Sequence, residues 1–101
     1  MSSDNPALLA SVRFAEKRYL WACHLYYNEG WSPVTDEDHD ATERQLDLCR
    51  DLWSDNFKSH VENPSKPLKP QAHALKSLSE QVKENAHMWA AYVEFLKQHT
   101  K

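Results

Sequence analysis

One glycine, Gly30, in 101 residues, with no isoleucine and only eight β-branched side chains, five Val and three Thr, limits this chain more than any motif in it. Strands draw on β-branched residues and their tight turns on glycine, so a β-rich fold is excluded and helices must supply the architecture. The same scarcity removes glycine-dependent phosphate cradles. A P-loop needs two glycines in one short loop and the dinucleotide fingerprint needs three, because the backbone must approach the phosphates closely.

A chain of this length predicts one domain around a single core, which buries roughly two thirds of its unfolded surface and would gain from self-association. The formal charge of −3 gives no footprint for phosphate-backbone binding, so no direct nucleic-acid partner is expected. Charge is also unevenly placed. Residues 1–57 carry 5 Lys/Arg against 11 Asp/Glu and residues 58–101 carry 7 against 4, so the halves attract each other. Two cysteines, Cys23 and Cys49, lie in apolar helical patterns and read as buried, reduced thiols. With no signal peptide and no apolar run of membrane-spanning length, a cytoplasmic location is the expectation, without a membrane partner.

The fold class read from periodicity is all-α: an antiparallel helix pair within residues 1–62, a proline-rich linker over 63–70, and a long third helix within 71–101. Asp4-Asn5-Pro6 caps and opens helix 1, whose stripe runs Leu8/Leu9, Val12, Ala15, Tyr19, Ala22/Cys23 and Tyr26 until Gly30 ends it. Thr35 and the acidic turn after it cap helix 2, which continues through His39, Thr42, Leu46, Cys49 and Leu52/Trp53 to about Phe57. Prolines 64, 67 and 70 suit an extended connector. Helix 3 is read as continuous over 71–99, about 43 Å long at 1.5 Å per residue, more than two shorter helices can cover. Its apolar positions Leu78, Val82, Trp89, Tyr92, Phe95 and Leu96 therefore either complete a three-helix bundle or form a seam with a protein partner or a second copy.

Chemistry concentrates in residues 24–40. An aromatic pair, Tyr26 and Tyr27, closes helix 1, and helical spacing puts Asp36, His39 and Asp40 on one face of helix 2. A short turn brings the two together as a notch with aromatic walls and carboxylates, suited to a flat cationic ring or to ribose hydroxyls. The plainer reading is that the tyrosines are rim residues and the acidic turn only caps a helix.

Tyr26-Tyr27, eight residues, then Asp36-Glu37-Asp38-His39-Asp40 resembles the N-terminal Ia domain of bacterial NAD-dependent DNA ligases. That small helical module carries a Tyr-Tyr or Tyr-His pair at the end of its first helix and an Asp-x-x-Tyr-Asp start to the next. The resemblance spans roughly residues 20–55. It implies that Tyr26, Tyr27, Asp36 and Asp40, with His39 in the place of the family's tyrosine, contact the nicotinamide mononucleotide half of NAD. The Lys-x-Asp-Gly adenylation motif of the ligases is absent, so the expectation is a non-catalytic module, such as a phage or mobile-element accessory protein. Its ligand would be a nicotinamide nucleotide (NMN or NAD), and it would have no cofactor of its own.

No metal site is expected. Asp36-x-Asp38-x-Asp40 opens like a calcium loop, but Ala41 replaces the glycine and Asp47 the glutamate that such a loop requires. The six histidines (24, 39, 60, 73, 87 and 99) show no zinc spacing, and neither cysteine pairs with a histidine as a nucleophile would.

Overall fold

In the computed structural model, which describes residues 5–62 and 68–99, the order of elements is α1 (Pro6–Cys23), a π-helical turn (His24–Asn28), α2 (Asp36–Leu48), a 3₁₀ turn (Arg50–Leu52), α3 (Asp55–Lys58), β1 (Val61–Glu62), β2 (Lys69–Pro70), α4 (Ala72–Lys76) and α5 (Glu80–His99). It is a mostly helical globule with three long helices, α1, α2 and α5. The Cα radius of gyration is 13.8 Å, close to the ~13 Å of a compact domain this long.

The helix starts are written in local chemistry. Asn5 Oδ1 accepts from the Ala7 and Leu8 N–H groups at 3.0 and 3.1 Å, while Pro6 needs no acceptor at the first helical position. Asp4 lies outside the described residues. Thr35 Oγ1 accepts from the Asp38 N–H at 3.1 Å, and Asp36, Glu37 and Asp38 face the positive end of the α2 dipole. Between the two helices Gly30 adopts φ 78°, a region costly for any side chain, and this lets the Trp31 N–H reach back to the Leu25 carbonyl at 3.2 Å.

The expected course to Phe57 in one helix is not what forms. Helix α2 ends at Leu48, because the buried Trp53 indole N–H donates to the Leu46 carbonyl at 2.9 Å and so occupies one of the last acceptors of the helix. Arg50 holds the turn, pairing with Asp47 at 2.7 Å and lying 5.0 Å above the Trp53 ring. Ser54 then starts α3 afresh, its Oγ accepting from the Phe57 N–H at 3.1 Å.

The long third helix is likewise two. Helix α4 stops at Ser77, whose hydroxyl bonds the Ala74 and His73 carbonyls, and the Ser79 hydroxyl accepts from the Val82 N–H at the start of α5. The break turns Leu75 and Leu78 into the main core with Tyr19, Leu20, Cys23, Leu46, Trp53, Phe57, Val61 and Leu68, with Val82 packed beside them. Leu78 and Val82 are thus occupied within the chain and are not free for a seam. Of the expected connector, residues 63–67 lie outside the described set. Lys69 and Pro70 pair antiparallel with Glu62 and Val61, a two-residue ladder extended by Gln71, whose backbone N–H donates to the His60 carbonyl.

Glu16 on α1 is the strongest tie across this core. Only 4% exposed, it accepts from the Ser54 N–H and hydroxyl, both at 2.9 Å, and pairs with Arg13 at 3.3 Å. Arg13 also donates to the Leu52 carbonyl at 2.7 Å. One carboxylate thereby ties α1 to the half-buried turn that separates α2 from α3. Replacing it strands those donors, so Glu16→Ala should lower the unfolding free energy by about 3 kcal/mol, measured by urea denaturation at neutral pH.

Candidate functional site

The π-helical turn at the end of α1 decides what faces what. Its backbone bonds reach five residues rather than four, and Leu25, four residues after Trp21, is buried on the α5 side of α1 while Tyr26 does not continue the stripe of Val12, Tyr19 and Cys23. Leu25 packs with Ala86 and Ala90 of α5, flanked by Trp21 and Trp89. Tyr26 and Tyr27 are left 56% and 60% exposed, their rings meeting edge to face with centroids 4.9 Å apart.

All five predicted residues, Tyr26, Tyr27, Asp36, His39 and Asp40, line one concavity of about 320 Å³, completed by Ala22, Ser32 and Glu43. Ser32 shapes its rim: its hydroxyl donates to the Val34 carbonyl at 2.7 Å and accepts from the Val34 N–H at 3.3 Å, fixing the approach to the Thr35 cap. Both carboxylates come from the first turn and a half of α2, where the helix dipole favours negative charge.

His39 does not stand free in the concavity. Its imidazole stacks on the buried Tyr19 ring at 5.1 Å and 8° between planes, and its Nε2 lies 3.7 Å from Glu43 Oε2. Where a tyrosine at this position would present a hydroxyl, histidine presents a ring edge that answers to Glu43. Tyr19 donates to the same Glu43 oxygen at 3.2 Å. Desolvation raises the Glu43 pKa above the ordinary carboxylate value, and the Asp40 and Asp47 charges add to the rise. His39 and the Tyr19 hydrogen bond oppose it. Burial likewise raises the phenol of Tyr19, and raises Tyr27 in the same direction.

Glu43 is the site residue that the sequence reading missed. The signal was present: it lies four residues beyond His39 and three beyond Asp40, on the same face of α2. A second omission has no local signal at all. His24 opens the π turn and Glu29 follows it, and α5 brings His87 to them, so that one ligand atom from each lies within 4.8 Å of the others. The two histidines are 63 residues apart in the chain, beyond any periodicity.

The other predicted surface falls into parts. Trp89 is half-buried, tilted on Trp21 with centroids 5.8 Å apart, whereas Tyr92, Phe95 and Leu96 are exposed. Phe14, Trp21, Met88, Trp89, Tyr92 and Leu96 contribute to a wide apolar groove of about 770 Å³ between α1 and α5, edged by Lys17 and Arg18. Among the described residues no helix is long and apolar enough to cross a membrane. No protein-family model matches the chain, nor does any curated protein or solved structure.

The two cysteines differ sharply. Cys23 is fully buried beside Tyr19, and desolvation pushes its thiol up to about 12, whereas Cys49 is half-buried at the end of α2. A thiol titration of the native protein at pH 8 should show Cys49 reacting first and Cys23 reacting only as the protein unfolds, since the thiolate is the reactive form. Equal rates for both would contradict this packing.

Proposed function

We propose that this chain is a non-catalytic helical module that binds the nicotinamide-nucleotide moiety, used as the resembling Ia domain of NAD-dependent DNA ligases uses it. The observation that carries this reading is the convergence of Tyr26, Tyr27, Asp36, His39 and Asp40, singled out by helical spacing and the family resemblance, on a single concavity. Its two walls match the ligand's two chemistries. Exposed phenol faces suit a flat cationic ring, and carboxylates suit the ribose hydroxyls and the carboxamide N–H groups as acceptors. Glu43, drawn in by α2, adds a third carboxylate and couples the site to the core through Tyr19.

Titration calorimetry with nicotinamide mononucleotide tests the proposal. Saturable binding is expected, with Asp36→Ala and Asp40→Ala each weakening it about ten- to a hundredfold, the loss of a hydrogen bond to a charged group. No heat at millimolar ligand ends the nucleotide reading.

Acidity supplies a second test. The ionised carboxylates favour a cationic ring, and a raised Glu43 pKa means that this residue gains its proton before an ordinary carboxyl does as the pH falls. Affinity should therefore begin to drop above the usual carboxylate range, and Glu43→Gln should move the onset of the drop to lower pH. An unchanged profile in Glu43→Gln would remove Glu43 from the site.

One observation favours a second reading, a second copy of this chain seated on the α1–α5 groove, where exposed Phe14, Met88, Tyr92 and Leu96 lie together. Tyr92→Ala with Phe95→Ala should lower the sedimentation mass of a dimer to that of a monomer without touching nucleotide binding. Trp89 is a poorer probe, because its contact with Trp21 ties it to the fold. A wild-type chain that sediments as a monomer at high concentration ends the dimer reading.

A further inference from the structure

Away from the tyrosine-lined concavity, the end of α1 and the middle of α5 bring together His24, Glu29 and His87. His24 Nε2 lies 2.9 Å from Glu29 Oε2, and His87 Nε2 lies 2.8 Å from both oxygens of the same carboxylate. The two imidazoles stand with ring centroids 6.1 Å apart, and 64° between planes. From this geometry we infer that His24, Glu29 and His87 form a binding site for a divalent transition-metal ion of the zinc class, with solvent at the remaining position.

Hydrogen bonding accounts for only half of the cluster. His87 sits in good position to donate to Glu29. His24 does not: the residue is 97% buried, and although its Nε2 stands at ion-pair distance from Glu29 it has no hydrogen-bond partner among the described residues. A buried imidazole nitrogen without a partner costs stability, and such a group is rare enough in a folded protein to require a cause. A metal ion is a partner that would satisfy it.

The surroundings suit that role. A π-helical turn, a form concentrated at functional positions, carries His24 in its first place and delivers Glu29 directly after its last. His24 Nδ1 lies 2.8 Å from the Asn28 amide nitrogen, which also donates to the Leu75 carbonyl at 3.1 Å, so the ring is held in place from its far nitrogen. With a metal on Nε2 the ring proton resides on Nδ1, so the Asn28 amide must turn to accept it and release the Leu75 carbonyl. The site grades from the buried His24 to the exposed His87, which gives an ion a way in and leaves room for water. Two imidazoles and one carboxylate are the donors of open zinc sites, whereas calcium and magnesium call for oxygen ligands throughout. Around a tetrahedral ion with ~2.0 Å bonds the donor atoms stand about 3.3 Å apart, so Glu29 must open from each histidine by about half an ångström and the two imidazole nitrogens, held within 4.8 Å, must reach the same spacing.

Titration of the full chain with Zn²⁺, followed by calorimetry, tests the inference, with the Co²⁺ form read by its visible absorption. One ion per chain is expected, with a Tm raised by about 10 °C or more when free Zn²⁺ is a hundredfold above Kd, and Co²⁺ bands of four- or five-coordination. His87→Ala and Glu29→Gln, both at exposed positions and expected to fold, should each weaken Zn²⁺ binding by more than the ~100-fold loss of an outer-shell partner. His60→Gln with His73→Gln should leave it intact. Absence of saturable binding at millimolar Zn²⁺, binding as tight in either ligand variant as in wild type, or binding lost with His60 and His73 would each overturn the site. The inference is independent of the nucleotide reading: Asp36→Ala should bind Zn²⁺ normally.

Discussion

The π-helical turn at His24–Asn28 is the constraint on which the arrangement of this protein depends. An α-helix continued through these residues would keep Tyr26 on the buried stripe begun by Val12 and Tyr19. In the wider turn the two tyrosines instead stay exposed and line one concavity, while Leu25, on the Trp21 face, contacts Ala86 and Ala90. The same turn places His24 and Glu29 against α5. Such a turn is intrinsically less favourable than an α-helical one and persists only where packing supports it. Here α4 and α5 both press on it, and Asn28 fastens it to the Leu75 carbonyl.

Around that turn the largely apolar core is tied together by a few buried or half-buried polar groups. Glu16 receives two hydrogen bonds from Ser54, the Trp53 indole closes the end of α2, and Arg13 reaches the Leu52 carbonyl. These bonds satisfy the Ser54 N–H and the Leu46 and Leu52 carbonyls where the chain bends between α2 and β1. The result is a short second helix, whose first turns serve the concavity and whose end serves the core. Glu43 lies between the two roles, bonded to buried Tyr19 while facing the carboxylates of the rim.

Much of the candidate notch was legible because it is local. Thr35, Asp36, His39 and Asp40 sit on one regular helix, and Tyr26 and Tyr27 lie only a short turn away, so spacing and capping rules suffice to bring them together. What the spacing could not show was how His39 would be used. Its stacking on Tyr19 depends on the distance between two helices, which is set by Leu46, Phe57 and Leu75 elsewhere in the core. Helix 3 was misread for the opposite reason. The run Leu75, Leu78, Val82 keeps a helical period across Ser77 and Ser79, yet both serine hydroxyls bond to backbone and interrupt it.

By itself, the sequence determined the helical class, through the lack of glycine and β-branched residues, and the starts of α1 and α2, through Asn5 with Pro6 and Thr35 with its acidic turn. Those features act within a few residues and need no partner. Only tertiary structure decided where α2 ends, that a π turn closes α1, and that His87 meets His24 and Glu29. Each of these depends on burial by segments tens of residues away, where the free energy of packing exceeds the small local preference for one backbone turn over another.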